Sequence, residues 1–221
     1  MEGIAMIPYH KIQTVFKRDP ETNHKTLLEG AFSRPEFEYL RQNSWVFTEK
    51  VDGTNIRVMF DGNAISFNGK SDNAQMPAPL VRRLQELFLP QLPLFIKEWD
   101  VTTLLQDGGV CLYGEGYGGK IQKGGKYRET QDFVLFDVKI GEWWLQRPDV
   151  EEIAQKLGLD IVPVIGHGTL LDMVDQVRGG FDSEWGHFPA EGIVARPRTE
   201  LVARNGQRII TKLKCKDFNA A

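Results

Sequence analysis

Two patterns of apolar and polar positions alternate along the chain, and they separate strands from helices. From Trp45 to Phe60 the apolar residues Trp45 and Phe47, then Ile56, Val58 and Phe60, recur at every second position, with Asp52-Gly53 breaking the run into two strands. Asp61-Gly62-Asn63 marks a further turn, so Ala64 to Asn68 is expected as a hairpin partner and the whole stretch as a β-meander. Leu80, Leu84, Leu87 and Phe88 instead fall on one face at helical spacing, with Pro79 suited to a first turn and Pro90 ending the run. Leu94 to Gln106, Val150 to Leu157 and Leu170 to Val177 predict further helices. Val110 to Tyr113, Phe133 to Val138, Gly192 to Arg196 and Arg208 to Lys214 predict strands. Strands that follow one another directly favour an α+β fold of largely antiparallel sheets flanked by helices over a doubly wound parallel sheet.

Composition narrows this picture. A chain of 221 residues with 41% hydrophobic content can bury a sizeable core. No apolar run approaches the roughly 20 residues of a membrane span, and no secretory pattern opens the chain, so no membrane association and a cytoplasmic location are expected. Cys111 and Cys215 stand far apart without ligand spacing, which points to neither a zinc site nor a disulfide framework. His10, His24, His167 and His187 likewise lack metal-ligand spacing. The net charge of −3 makes no global case for nucleic acid, but the distribution is uneven. Lys120, Lys123, Lys126 and Arg128 occur with no acid between them, and seven basic residues between Arg196 and Asp217 face only Glu200 and Asp217. Either run is a candidate for polyphosphate or a nucleic-acid backbone, or else a solvated surface.

The sharpest local segment is Thr48-Glu49-Lys50-Val51-Asp52-Gly53-Thr54-Asn55, a lysine at a strand end before a tight turn bearing a carboxylate. To act as a nucleophile the amine must lose a proton, which neighbouring cations, a metal ion or desolvation promote. Alone, Lys-x-Asp-Gly is also an ordinary turn. It is followed in order by Gly69-Lys70-Ser71-Asp72-Asn73, Tyr113-Gly114-Glu115-Gly116, Leu135-Phe136-Asp137-Val138, Glu191-Gly192-Ile193-Val194 and Lys212-Leu213-Lys214. This series resembles the covalent nucleotidyltransferase superfamily of ligases and mRNA capping enzymes. Asn55, Ile121-Gln122-Lys123-Gly124 and Lys214-Cys215-Lys216-Asp217-Phe218 are similar to the phage-type RNA ligase 2 group within it.

The resemblance implies a ligase adenylation domain that is an ATP-dependent RNA ligase. Lys50 would attack the α-phosphate of ATP to form lysyl-AMP, and the adenylate would pass to an RNA 5′-phosphate. An RNA 3′-hydroxyl would then displace AMP, with a nicked duplex as the expected partner and RNA repair as the setting. By the same resemblance Glu49, Asn55, Lys70, Glu115 and Phe136 are binding residues. Glu115 holds the ribose hydroxyls or metal-bound waters, Phe136 stacks on adenine, Lys70 meets the nucleotide or the RNA 5′-phosphate, and Asn55 contacts the nucleotide or the nick, or is an ordinary turn asparagine. Glu191 and Asp52 hold Mg²⁺ or Mn²⁺, and Lys212 and Lys214 act on the phosphates. Read as residues alone, Phe136 is equally a core phenylalanine. Asp137, expected on the opposite side of the strand, is either a functional carboxylate or exposed alternation. Lys70 departs from the arginine usual in this group and loses its two-pronged grip on phosphate.

Two decoys fail on their context. Gly114 to Gly119 matches GxGxxG, but no apolar helical face follows; Gly69-Lys70-Ser71 resembles the end of a P-loop, but Ala64 stands where that motif needs glycine. The chain stops soon after Lys214, where relatives commonly carry another domain. The expectation is therefore one minimal nucleotidyltransferase domain over residues 1–221, which adenylates itself and seals with help from its basic segments, a partner protein or a pre-paired nick. A DNA ligase or capping guanylyltransferase is disfavoured by Asn55 and by the lack of an OB-fold extension. A non-catalytic binding module is disfavoured because every candidate side chain is present.

Overall fold

A computed structural model of the chain describes residues 8–98 and 109–218. In chain order the described strands are β1 (Gln13–Thr14), β2 (Phe16–Arg18), β3 (Leu27–Phe32), β4 (Trp45–Glu49), β5 (Thr54–Phe60), β6 (Ile65–Asn68), β7 (Val110–Tyr117), β8 (Asp132–Ile140), β9 (Trp143–Trp144), β10 (Val164–Gly168), β11 (Asp182–Ser183), β12 (Gly186–Pro189), β13 (Gly192–Pro197) and β14 (Thr211–Lys214). The helices are α1 (Pro35–Tyr39), α2 (Ala78–Phe88), α3 (Leu92–Glu98), α4 (Arg147–Leu157) and α5 (Leu170–Gly179). They assemble into two compact units, named here for their place in the sequence. Of the described residues, the central unit takes 8–10, 52–98 and 109–161, and the flanking unit takes 11–51 and 162–218.

The central unit is an antiparallel sheet in the order β6-β5-β7-β8-β9. Alternation along β5 sends Ile56, Val58 and Phe60 to one face, where Val110, Leu112, Phe133, Leu135 and Val138 join them. Against that face pack Leu80, Leu84 and Phe88 of α2, Phe95 of α3, and Val150, Ala154 and Leu157 of α4. Each large side chain fully buried there contributes about 1.5–3 kcal/mol. Pro79 occupies the first turn of α2 as expected, and a 3₁₀ turn at Leu89–Gln91 leads into α3. The helix expected over Leu94 to Gln106 thus begins at Leu92; its part beyond Glu98 lies outside the described residues.

In the flanking unit the sheet order is β1-β14-β13-β4-β10, with β1 parallel to β14 and the other pairs antiparallel. Trp45, Phe47, Ile193, Ala195 and Leu213 pack against Leu170, Met173, Val174 and Val177 of α5 and Phe37 of α1. Thr169 and Asp172 form a reciprocal capping box at the start of α5. The α+β class with antiparallel sheets agrees with the sequence reading, but the meander does not hold. β5 and β6 do form the expected hairpin, whereas β4 belongs to the other sheet, because β13 and β10 already occupy its two edges. The Asp52-Gly53 break therefore carries the chain from one sheet to another. β14 begins at Thr211 rather than Arg208, since Arg208 is drawn into ion pairing with Glu200 and an isolated bridge to Val202.

Candidate active site

In the flanking unit three adjacent strands end together, and their ends supply Lys50, Glu191 and Lys214. β13 lies between β4 and β14, with Ile193 opposite Glu49 and Gly192 opposite Lys214. The Lys50 N–H donates to Gly192 O at 2.9 Å and the Cys215 N–H to Glu191 O at 2.9 Å, fixing both neighbours against the start of β13. Glu191 then takes one ammonium on each oxygen: Lys50 Nζ at 2.5 Å from Oε2 and Lys214 Nζ at 2.5 Å from Oε1. Glu191 is 12% exposed and the two lysines 19% and 23%, so the triad is shielded yet open to solvent on one side. Gly192 makes the approach possible, because a Cβ there would run into Leu213 O and lie 2.7 Å from Lys214 Cα. Lys212 and Lys214 share a face of β14 while Leu213 between them is fully buried, as the alternation predicts.

The central unit holds Asp52, Asn55, Lys70, Glu115 and Phe136. The Asp52-Gly53 turn rests on the end of β7: a Cβ on Gly53 would collide with Gly116 O and sit 2.7 Å from Glu115 Cγ. The Asp52 N–H donates to the Tyr127 hydroxyl at 3.1 Å. Asn55 lies directly across from Glu115, both half-buried, and Asn55 Oδ1 is buried without a hydrogen-bond partner. A buried amide oxygen left in that state costs free energy unless a ligand or water answers it. Around Glu115, Gly114 and Gly116 are glycines for space, the first pressed by Phe133 and the second by Leu80 of α2.

Phe136 and Asp137 depart from the alternation expected of them. Pairing shifts from Tyr113 opposite Asp137 to Gly114 opposite Leu135, so Phe136 is the extra residue of a bulge. Both side chains consequently meet Tyr9: the Phe136 ring edge-on at 5.1 Å between centroids, and Asp137 as acceptor of the Tyr9 hydroxyl at 2.5 Å. Phe136 is half-buried beside Met59, Cys111 and Tyr113, on the face away from the helices, and Asp137 is fully buried rather than exposed.

A family model described as RNA ligase matches residues 43–214, a span holding all six motifs from Lys50 to Lys214. The chain belongs to the RNA ligase family. Its fold is similar to that of Naegleria gruberi RNA ligase. A mutant of that protein in apo form gives a TM-score of 0.67 at 16% identity, covering 96% of this chain and 56% of that one. A mutant with ATP and Mn gives 0.66 at 16% identity over 94% and 56%, and the form with PPi 0.63 at 17% over 96% and 58%. The chain thus spans little more than half the length of those proteins. No curated protein matches it in sequence.

Within this RNA ligase family member, two further predicted residues, Glu49 and Lys70, have plain structural surroundings. Glu49 is 1% exposed, and its oxygens accept from the Ser183 hydroxyl at 2.6 Å and the Glu184 N–H at 2.8 Å. Burial pushes its carboxyl above the usual carboxylate range, against the pull of those two bonds. Lys70 is exposed on a turn that sequence reasoning did not connect to Arg57. That arginine, fully buried on β5, donates to Gly69 O at 2.8 Å and pairs with Asp72 at 2.8 Å, so it holds the turn from beneath. The only signal for Arg57 in the sequence is a charge at an alternating position of an apolar strand, and Ser183 gives none. The GxGxxG decoy is a strand and turn, with no α-helix after it before β8. In the basic run after Arg196, both Arg196 and Arg208 are committed to Glu200.

Proposed function

We propose that this RNA ligase family member is an ATP-dependent RNA ligase, joining RNA 3′-hydroxyl and 5′-phosphate ends in a nicked duplex as a step of RNA repair. The observation that carries the reading is Glu191 held between Lys50 and Lys214, an amine nucleophile beside a proton acceptor and a second cation. Naegleria gruberi RNA ligase, of the same fold, has been seen with ATP and Mn and with PPi, which supports the nucleotide, the ion and the leaving group.

In the first step Lys50 Nζ forms a bond to the α-phosphorus while the bond to the bridging oxygen breaks and pyrophosphate departs. The ammonium must shed one proton before Nζ can attack and a second as the phosphoramide forms; the 2.5 Å contact supports Glu191 Oε2 as acceptor of the first, and the second passes to solvent. An oxygen of the RNA 5′-phosphate next attacks the adenylate phosphorus, the P–N bond breaks and the amine regains a proton. The RNA 3′-hydroxyl then attacks the activated 5′-phosphate and AMP leaves. Lys212 and Lys214 offset charge on the phosphates, a task of positioning and electrostatics. Asn55 with its unanswered Oδ1, Glu115 and Phe136 are assigned to the nucleoside, and Lys70 to the RNA 5′-phosphate.

Glu191 and Asp52 would hold Mg²⁺ or Mn²⁺. Among the described residues no three His, Cys, Asp or Glu side chains gather into a cage. A hard divalent ion held by a few carboxylates would take its other ligands from water and phosphate and would supply charge neutralisation. Intact-mass analysis after incubation with ATP and Mg²⁺ tests the reading. One AMP is expected on the wild-type protein and none on Lys50→Ala; folded wild-type protein that never gains AMP would refute it. GTP in place of ATP, and DNA nicks in place of RNA, separate capping and DNA-ligase activities.

A further inference from the structure

Between β7 and β8 the chain builds a loop over residues 118–128 whose frame is more elaborate than a connector needs. Ile121, 6% exposed, pegs it into the central core. Gly118 and Gly124 touch backbone to backbone, since a Cβ on Gly124 would lie 2.7 Å from Gly118 N. The Ile121 N–H donates to Gly118 O at 3.1 Å, Gly124 to Ile121 O at 2.7 Å, Tyr127 to Gly124 O at 2.9 Å and Gly119 to Arg128 O at 3.0 Å. Gln122 takes a left-handed conformation with φ 50°, which reverses the chain between Lys120 and Lys123. Tyr127 closes the frame, its ring edge-on to Tyr117 at 5.9 Å and its hydroxyl accepting from the Asp52 N–H.

From this frame Lys120, Lys123 and Lys126 stand exposed, and none has an ion-pair partner among the described residues. The loop's other charges are Arg128, paired with Asp132, and the exposed Glu129 just past its end. We propose that this loop is a binding surface for the phosphodiester backbone of RNA, with Lys120, Lys123 and Lys126 as its contacts. The inference rests on the reading of the chain as an RNA ligase. Cations without internal partners lose no ion pair on meeting a phosphate, and a loop already fixed by its own hydrogen bonds loses little freedom. Three such charges on one short segment suit a polyanion that releases counterions as it binds. Through Tyr127 the loop is tied to the Asp52 N–H within the same unit, which fixes the surface to the Asp52-Gly53 turn.

The test compares wild type with the triple variant Lys120→Ala/Lys123→Ala/Lys126→Ala and with a charge-matched control, Lys17→Ala/Lys25→Ala/Lys97→Ala, whose lysines are exposed elsewhere. Thermal unfolding checks that each is folded, and the dissociation constant for a nicked RNA duplex is measured across a salt series. The loop variant is expected to bind at least ~10-fold more weakly at low salt, with a log–log salt slope smaller by roughly 2–3, and the control to bind like wild type. Equal binding by the loop variant, or equal losses in both variants, overturns the proposal. Failure of wild-type protein to gain AMP from ATP would instead sink the ligase reading and leave this comparison intact.

Discussion

Glu49 ends β4 and Glu191 immediately precedes the neighbouring β13, yet their surroundings differ sharply. Glu191 keeps an opening to solvent and faces two ammonium groups, whereas Glu49 is sealed in with a hydroxyl and an amide N–H. Desolvation is the largest influence on Glu49 and raises its pKa above the ordinary 4.5. The folded state therefore holds that proton more tightly than the unfolded chain does. Linkage then fixes the sign: stability rises as pH falls through the window between the raised value and 4.5, and is lost as pH rises through it. Thermal midpoints of wild type and Glu49→Gln, followed from about pH 7 down to about pH 4.5, should diverge in favour of wild type as the acid limit is approached. Ser183→Ala, which removes a bond that holds the pKa down, should widen the window. Parallel midpoint curves would show that Glu49 does not titrate apart from the unfolded chain.

At the scale of elements, the geometry of the candidate site is a property of strand ends. Lys50, Glu191 and Lys214 meet because β4, β13 and β14 are in register, and the register at that edge depends on Gly192. Its missing Cβ lets β14 lie against β13 at Leu213 O, a backbone atom that cannot rotate aside. Gly192→Ala should cost about 1–3 kcal/mol of stability through overpacking. It should also slow self-adenylation well beyond that loss, because Glu191 and Lys214 are displaced together. The check is adenylation rate in the mass assay at a temperature where unfolding curves show the variant folded. A variant that is destabilised but adenylates at the wild-type rate would separate the register from the chemistry.

For the whole molecule, the sequence shows local elements far better than their partners. Period-two alternation locates β5, short apolar runs locate β7, β8 and β13, and helical spacing locates α2, α4 and α5, because each records burial of its own residues. Which sheet a strand joins is decided by residues far along the chain, as β4 shows in pairing with β13 and β10. β10 itself escapes the pattern because Gly166, His167 and Gly168 carry little apolar signal. The candidate site shows the same division: the residue types are legible as motifs, while the Glu191 bridge, the Phe136 bulge and the Arg57 support exist only through long-range packing. That packing forms two cores built from different stretches of chain, with Ile56 in one and Ile193 in the other. Substitutions confined to separate cores share no packing neighbours, so their costs should sum. Ile56→Val and Ile193→Val are each expected to lower stability by about 0.5–1.5 kcal/mol. In denaturant titrations the double variant should equal the sum within about 0.5 kcal/mol. A larger interaction energy would mean that the two cores respond to a lost methylene as one.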